Sequence, residues 1–158
     1  MPGKSRRKGS CGMGKEAALE WLKSAGSDLR TIEWILNDEA LTHVVAFHAQ
    51  QCVEKSLKAL LEFLDRPVPK DHSTIRLYGL VADVLGMALD RDMLTDLDDL
   101  YINARYPGEL GLLPYGKPSQ QEAQRFYEFA AEVYRKAWEL VAGEQDNRPE
   151  PGNYSCKC

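Results

Sequence analysis

The chain has 158 residues, 44% of them hydrophobic and 28% charged, with a formal net charge of −4. That length fits one domain with a real core, and the acidic balance argues against broad coating of nucleic acid while leaving room for a local basic patch. No apolar run approaches the roughly 18–20 residues of a membrane span, and the basic start (Lys4, Arg6, Arg7, Lys8) has no apolar stretch behind it to make a secretory signal, so a cytoplasmic protein is expected.

Residues 1–13 are rich in Gly, Ser and basic side chains and are expected to form a disordered tail. Met13 is a candidate natural start. The first helix is predicted over about 15–36, because Ala18, Trp21, Leu22, Ala25, Leu29, Ile32 and Leu36 fall within about 100° of arc at helical spacing. Asn37-Asp38 ends it. The second helix, about 42–64, puts Ala46, Ala49, Val53, Leu57, Leu60, Leu61 and Leu64 on one apolar face. Its far side carries His48, Gln51, Lys55 and Lys58, a set that suits either an anion site or a solvated back face. Gln50 sits at the edge of the apolar face and is expected to be a buried amide; Glu54 and Lys55 are expected to tie neighbouring helices by ion pairs.

Pro67 and Pro69 forbid continuation. Ser73 or Thr74 then caps a third helix, about 74–89. A short acidic fourth helix, about 92–104, has Leu94, Leu97, Leu100 and Tyr101 as its apolar spacing, and its Asp96, Asp98 and Asp99 read most simply as a solvated face. Pro107 ends it. Ser119 opens the fifth helix, and Glu122 three residues on completes a capping box. The apolar set of this helix, Ala123 through Val141, is broad enough to touch two neighbours. Residues 143–158 form a second expected tail, leaving 14–142 as the folded domain. No segment alternates with period two and no internal repeat is found. The fold class is therefore all-α, an up-and-down antiparallel helical bundle of about five helices.

Of the four cysteines, Cys52 lies within the second helix and reads as buried. Cys11, Cys156 and Cys158 lie in the tails without the paired spacing of a zinc site. His43 and His48 are five apart and off the spacing of a two-His metal site. There is no Gly-rich phosphate loop and no nucleophile elbow, so neither a metal nor a cofactor is expected.

Three segments, taken together, resemble one family: 48-HAQQCVEKSLKALL-61, 72-HSTIRLYGL-80 and 103-NARYPG-108, with Asp28-Leu29 in the first helix. The family is the HEPN domain (higher eukaryotes and prokaryotes nucleotide-binding), and the resemblance covers about residues 14–142. It implies a five-helix bundle, homodimers, a nucleotide or RNA ligand and, in prokaryotic members, a minimal nucleotidyltransferase partner in a two-component module. Some such modules are toxin–antitoxin pairs whose HEPN protein cleaves RNA; other members bind nucleotides without catalysis.

Catalytic members of the wider superfamily carry an Arg, four to six residues, then a His. Such a pair suits metal-independent attack of a ribose 2′-hydroxyl, with His as acid or base and Arg holding the phosphorane charge. Arg66 and His72 satisfy the spacing, but two prolines place Arg66 in a loop; the alternative for His72 is capping or packing at the start of the third helix. Arg105 has no downstream His, yet its planar fork suits phosphate; the alternative is that Arg105 binds a helix end or a carboxylate while Tyr106 packs. The expected nucleotide- or phosphate-binding set is thus Arg105, Tyr106, Lys55, Gln51, His48 and Lys58, with Arg66 and His72 as the candidate catalytic pair. The leading function is phosphate binding beside a nucleotidyltransferase. The alternatives are a ribonuclease toxin acting across a homodimer and a non-catalytic scaffold anchored by Trp21, Trp34 and Trp138.

Overall fold

The computed structural model describes residues 11–105 and 116–143, with the side chains at 11 and 103–105 left out of the description. The described residues form an all-α bundle of five helices: α1 (Cys11–Ile35), α2 (Thr42–Phe63), α3 (Thr74–Leu85), α4 (Arg91–Arg105) and α5 (Gln120–Ala142). A single 3₁₀ turn, Glu39–Leu41, joins α1 to α2, with the Asp38 side chain accepting from the Ala40 backbone N–H. No strand occurs among the described residues.

The apolar stripes meet in one core. Ala18, Leu22, Ala25 and Ile32 of α1 close on Ala46, Ala49, Val53 and Leu57 of α2, and α5 adds Ala123, Ala130, Val133 and Ala137. Three of the four α5 residues just named are alanines, which lets helix backbones approach closely while the leucines fill the gaps. Close approach is tightest at Gly14, where an added Cβ would stand 2.9 Å from the Glu62 carbonyl oxygen.

Cross-helix contacts give the directions. Gly14 lies by Glu62 and Asp28 bonds His48, so α1 and α2 are antiparallel. The Gln120 side chain donates to the Leu36 carbonyl and Tyr127 to Glu33, so α1 and α5 are antiparallel as well. Helices α2 and α5 therefore run alongside each other in one sense, joined at Cys52 Sγ and the Ala130 carbonyl 3.8 Å away. The α3–α4 pair carries the chain back to the start of α5, and α5 does touch two long neighbours, as its broad apolar face implies.

Local signals account for the helix ends. Ser73, not Thr74, is the N-cap of α3, its hydroxyl accepting from the Arg76 N–H. Gly86 takes the left-handed conformation at φ 68° and stops α3 at Leu85, short of the expected residue 89. The Ser119–Glu122 capping box is present at α5. Helix α1 starts earlier than expected, at Cys11 rather than about Lys15.

Asp98 departs from the solvated face expected of it. Its carboxylate reaches from α4 to the start of α3, accepting from Ser73 Oγ (2.9 Å), Thr74 N–H (2.9 Å) and Thr74 Oγ1 (2.8 Å). A helix N-terminus exposes unsatisfied N–H groups and a positive dipole end, so a carboxylate from a neighbouring helix is well placed there. Sequence spacing shows which side of α4 Asp98 lies on but not that α3 begins there.

Candidate functional site

Helix α2 brings polar groups into the bundle in two clusters. In the first, Asp28 of α1 is buried and meets two residues of α2 that are two turns apart. His48 Nδ1 is 2.8 Å from Asp28 Oδ1, and Lys55 Nζ is 2.7 Å from Oδ2. A carboxylate only accepts, so the His48 proton sits on Nδ1 and Nε2 points elsewhere. Asp28 has no role that its place in the resemblance alone assigns. Its signal was there: Asp28 is three residues after Ala25 and four before Ile32, inside the apolar stripe of α1, where an acid needs a partner.

The second cluster centres on Glu54, also buried. Lys58 Nζ lies 2.7 Å from Oε1, while Gln50 Nε2 donates to Oε2 at 3.3 Å. His72, arriving from the segment before α3, places Nδ1 at 3.1 and 3.2 Å from the two oxygens. Gln50 also donates to the His72 carbonyl at 2.8 Å, and Gln51 donates to Gln50 Oε1 at 2.7 Å. Lys58 stands 5.5 Å from the centroid of the Trp21 ring, a cation–π contact in a largely dry place.

Gln50 is the buried amide expected, and Lys55 and Glu54 do tie neighbouring elements. The far side of α2 is not a solvated back face: Lys58 is buried, and both lysines are ion-paired to carboxylates. Lys55 and Lys58 thus neutralise Asp28 and Glu54. His72 is the outermost of these groups at 49% exposed, while His48 (24%) and Lys55 (21%) are exposed to a similar degree.

Rings link the two clusters. His48 lies edge-on to Phe47 at 5.4 Å, Phe47 stacks on Tyr101 of α4 at 5.8 Å, and Tyr101 meets His72 at 5.4 Å. Residue 105 follows Tyr101 by one helical turn, so position 105 falls on the same side of α4. The Arg105 side chain and all of Tyr106 lie outside the described residues.

Arg66 and His72 are held apart within the chain. Arg66 makes a two-pronged pair with Asp83 (Nη1–Oδ1 3.0 Å, Nη2–Oδ2 2.8 Å) and donates to the Leu80 carbonyl at 2.7 Å. This bonding lifts the guanidinium above its ordinary range and holds the Asp83 carboxyl below its own. Leu80 and Asp83 belong to the second half of α3, whereas His72 precedes its first residue. At 1.5 Å per residue the two anchoring points are about 10–15 Å apart along the helix.

Among the described residues, no three or more His, Cys, Asp or Glu side chains are grouped to hold a metal ion. Nor is any described helix long and apolar enough to cross a membrane.

The arrangement of α1 against α2, with the polar clusters on α2, agrees with the comparison with protein families: the HEPN domain model matches residues 18–140. The chain belongs to the HEPN domain family. No curated protein is similar enough in sequence to be matched. Membership supports a nucleotide- or RNA-related function for this HEPN protein. The first two resemblance segments meet through side chains around Glu54 and His72; of the third, the described part is the backbone of residues 103–105 in the last turn of α4.

Proposed function

We propose that this HEPN protein binds the phosphate of a nucleotide or RNA beside His72 and Tyr101, with Arg105 one helical turn beyond Tyr101 on α4. The observation that carries the reading is His72: its Nδ1 is held by buried Glu54, its ring rests on Tyr101, and its outer nitrogen is left for a ligand. A half-exposed imidazole fixed in this way donates to a phosphate oxygen without losing much side-chain freedom. Arg105, one turn beyond Tyr101, supplies the bidentate cation, with His48 and Gln51 further along α2. Lys55 and Lys58 act on the ligand through the field of the clusters rather than by contact. Tyr106 belongs to the same motif as Arg105.

The test is a titration of the purified chain with AMP and with a short single-stranded RNA. Arg105→Ala and His72→Asn should each weaken binding about tenfold, which corresponds to the loss of one charge-assisted hydrogen bond. Unchanged affinity in both variants overturns the assignment.

A second reading, a metal-independent ribonuclease, is favoured by the same Glu54–His72 bond, because a carboxylate on Nδ1 is how a catalytic imidazole is oriented. Arg66 would then come from the other protomer of a homodimer, its pair with Asp83 opening on the way. This reading predicts metal-free cleavage of labelled RNA that His72→Ala abolishes. The wider setting we propose is a two-component, toxin–antitoxin module with a nucleotidyltransferase, in the cytoplasm. Growth arrest on expression alone, relieved by the partner, is its expected sign. A scaffold role is favoured only by Trp34, which is 86% exposed on α1.

A further inference from the structure

The turn between α1 and α2 and the start of α5 border a cleft of about 630 Å³, whose lining includes Glu39, Thr42, Lys117, Ser119 and Gln120. That volume is in the ordinary range of small-molecule sites. The cleft shares no residue with the His48 and His72 clusters and is independent of the phosphate reading.

Two atoms of its lining residues are left without partners. Thr42 is 1% exposed and Gln120 half-buried, and both Thr42 Oγ1 and Gln120 Oε1 are buried with no hydrogen-bond partner among the described residues. Buried polar atoms are nearly always paired, because leaving one unpaired costs stability. The Gln120 amide is oriented by its nitrogen, which donates to the Leu36 carbonyl, so Oε1 is the remaining end and can only accept. Thr42 opens α2 behind Leu41, an N-cap residue that makes no side-chain bond to the helix. The start of α5, by contrast, is closed by the Ser119–Glu122 box. The unmet groups are therefore the hydroxyl at the positive end of α2 and the amide oxygen that faces it from α5.

Charges of both signs flank these atoms. Lys117 is exposed and holds its Nζ 3.3 Å from the Ala40 carbonyl, against the turn that precedes α2. Glu39, also exposed, stands on that turn. A bare anion suits Lys117, the Thr42 hydroxyl and the end of α2, but meets Gln120 Oε1 and the Glu39 carboxylate oxygen to oxygen. A bare cation has the reverse difficulty. An ammonium and a carboxylate carried on one small molecule satisfy both halves and bring no net charge.

We propose that this cleft binds a small zwitterion of the α-amino acid class, its carboxylate taken by the Thr42 hydroxyl and Lys117 and its ammonium by Gln120 Oε1 and Glu39. The experiment is a ¹H–¹⁵N NMR titration of the full chain with glycine, with acetate and methylammonium as the two half-ligands at matched ionic strength. Glycine should give saturating shifts at the backbone amides of Thr42, His43 and Gln120, half-complete at about 1 mM, which is within reach of so small a ligand. Each half-ligand should bind about tenfold more weakly or worse. Lys117→Met and Glu39→Gln alter exposed side chains, and each should weaken glycine about tenfold. Thr42→Val should do the same while leaving the urea midpoint at or above that of wild type, since the hydroxyl it deletes has no partner in the protein.

Acetate as tight as glycine would make this an anion site, and methylammonium as tight a cation site; either result overturns the proposal. So does the absence of saturating shifts with glycine, or glycine affinity unchanged in Thr42→Val. A urea midpoint lowered by Thr42→Val would mean that the hydroxyl is already paired within the fold, and overturns it as well.

Discussion

Asp98 and Thr74 lock α4 to the beginning of α3: one carboxylate oxygen accepts both the Thr74 backbone N–H at 2.9 Å and its hydroxyl at 2.8 Å. Thr74 is fully buried, so water cannot replace the carboxylate. Asp98→Ala should cost about 2–3 kcal/mol, a lost cap of ~1 kcal/mol plus a buried hydroxyl deprived of its acceptor. Thr74 Oγ1 keeps a longer bond to the Leu94 carbonyl at 3.2 Å, which limits the loss. Urea denaturation checks this, and a midpoint within error of wild type would show that the cap contributes nothing. The same variant should loosen the segment bearing His72, seen as faster amide exchange at residues 72–75.

Glu54 and Lys58 are a buried ion pair, and removing one member should be worse than removing both. Glu54→Gln leaves the Lys58 charge buried beside Trp21, at a cost of about 3–5 kcal/mol. Glu54→Gln with Lys58→Met should recover more than half of that loss, since Met fills similar volume without charge. A double-mutant cycle from urea melts reads the coupling. Additive losses would mean that the pair is not coupled.

Two acids should give opposite acid limbs. The Glu122 carboxyl is held below its ordinary value of 4.5, first by the Ser119 backbone N–H and then by the Ser119 hydroxyl. Its stabilisation is therefore present above pH ~4.5 and lost as pH falls through the depressed value. Glu122→Gln should lower stability by about 0.5 kcal/mol at pH 7 and by nothing at pH 2.5. Asp96 is raised, by partial burial and then by Asp92 and Asp99. Asp96→Asn should thus stabilise at pH 7, by a few tenths of a kcal/mol at this exposed site, with the gain vanishing in acid. Thermal melts from pH 2.5 to 7 test both signs.

Burial pushes the Cys52 thiol well above its ordinary range, and neighbouring Asp28 pushes it further. Only the thiolate reacts with disulfide reagents. In a variant with Ser at 11, 156 and 158, Cys52 should resist such a reagent at pH 8 until the chain is unfolded by urea, then react at an ordinary rate. Native-state labelling within minutes would place Cys52 outside the core.

Residue spacing alone marks out the helices and their inward faces. Leu22, Leu57 and Val133 recur at spacings that a 3.6-residue period alone explains, and Ser119–Glu122, Ser73 and the prolines at 67 and 69 mark ends through local bonding. Gly86 was the exception: its left-handed turn ended α3 inside a pattern that looked helical to residue 89. Gln50 was also legible, because an amide at the edge of an apolar face has to be satisfied within the bundle. Which charge meets which between elements was settled by packing. Lys58 meets Glu54 at i,i+4 within α2, a spacing already visible in the sequence, but Lys55 meets Asp28 of α1 and His72 comes to Glu54 from outside α2. Arg66 went to Asp83, away from the His72 that its spacing suggested. Helical periodicity is a property of neighbouring residues, whereas these ion pairs between elements depend on register and on residues 17 or more apart. A charge left over by the first can be assigned only by the second.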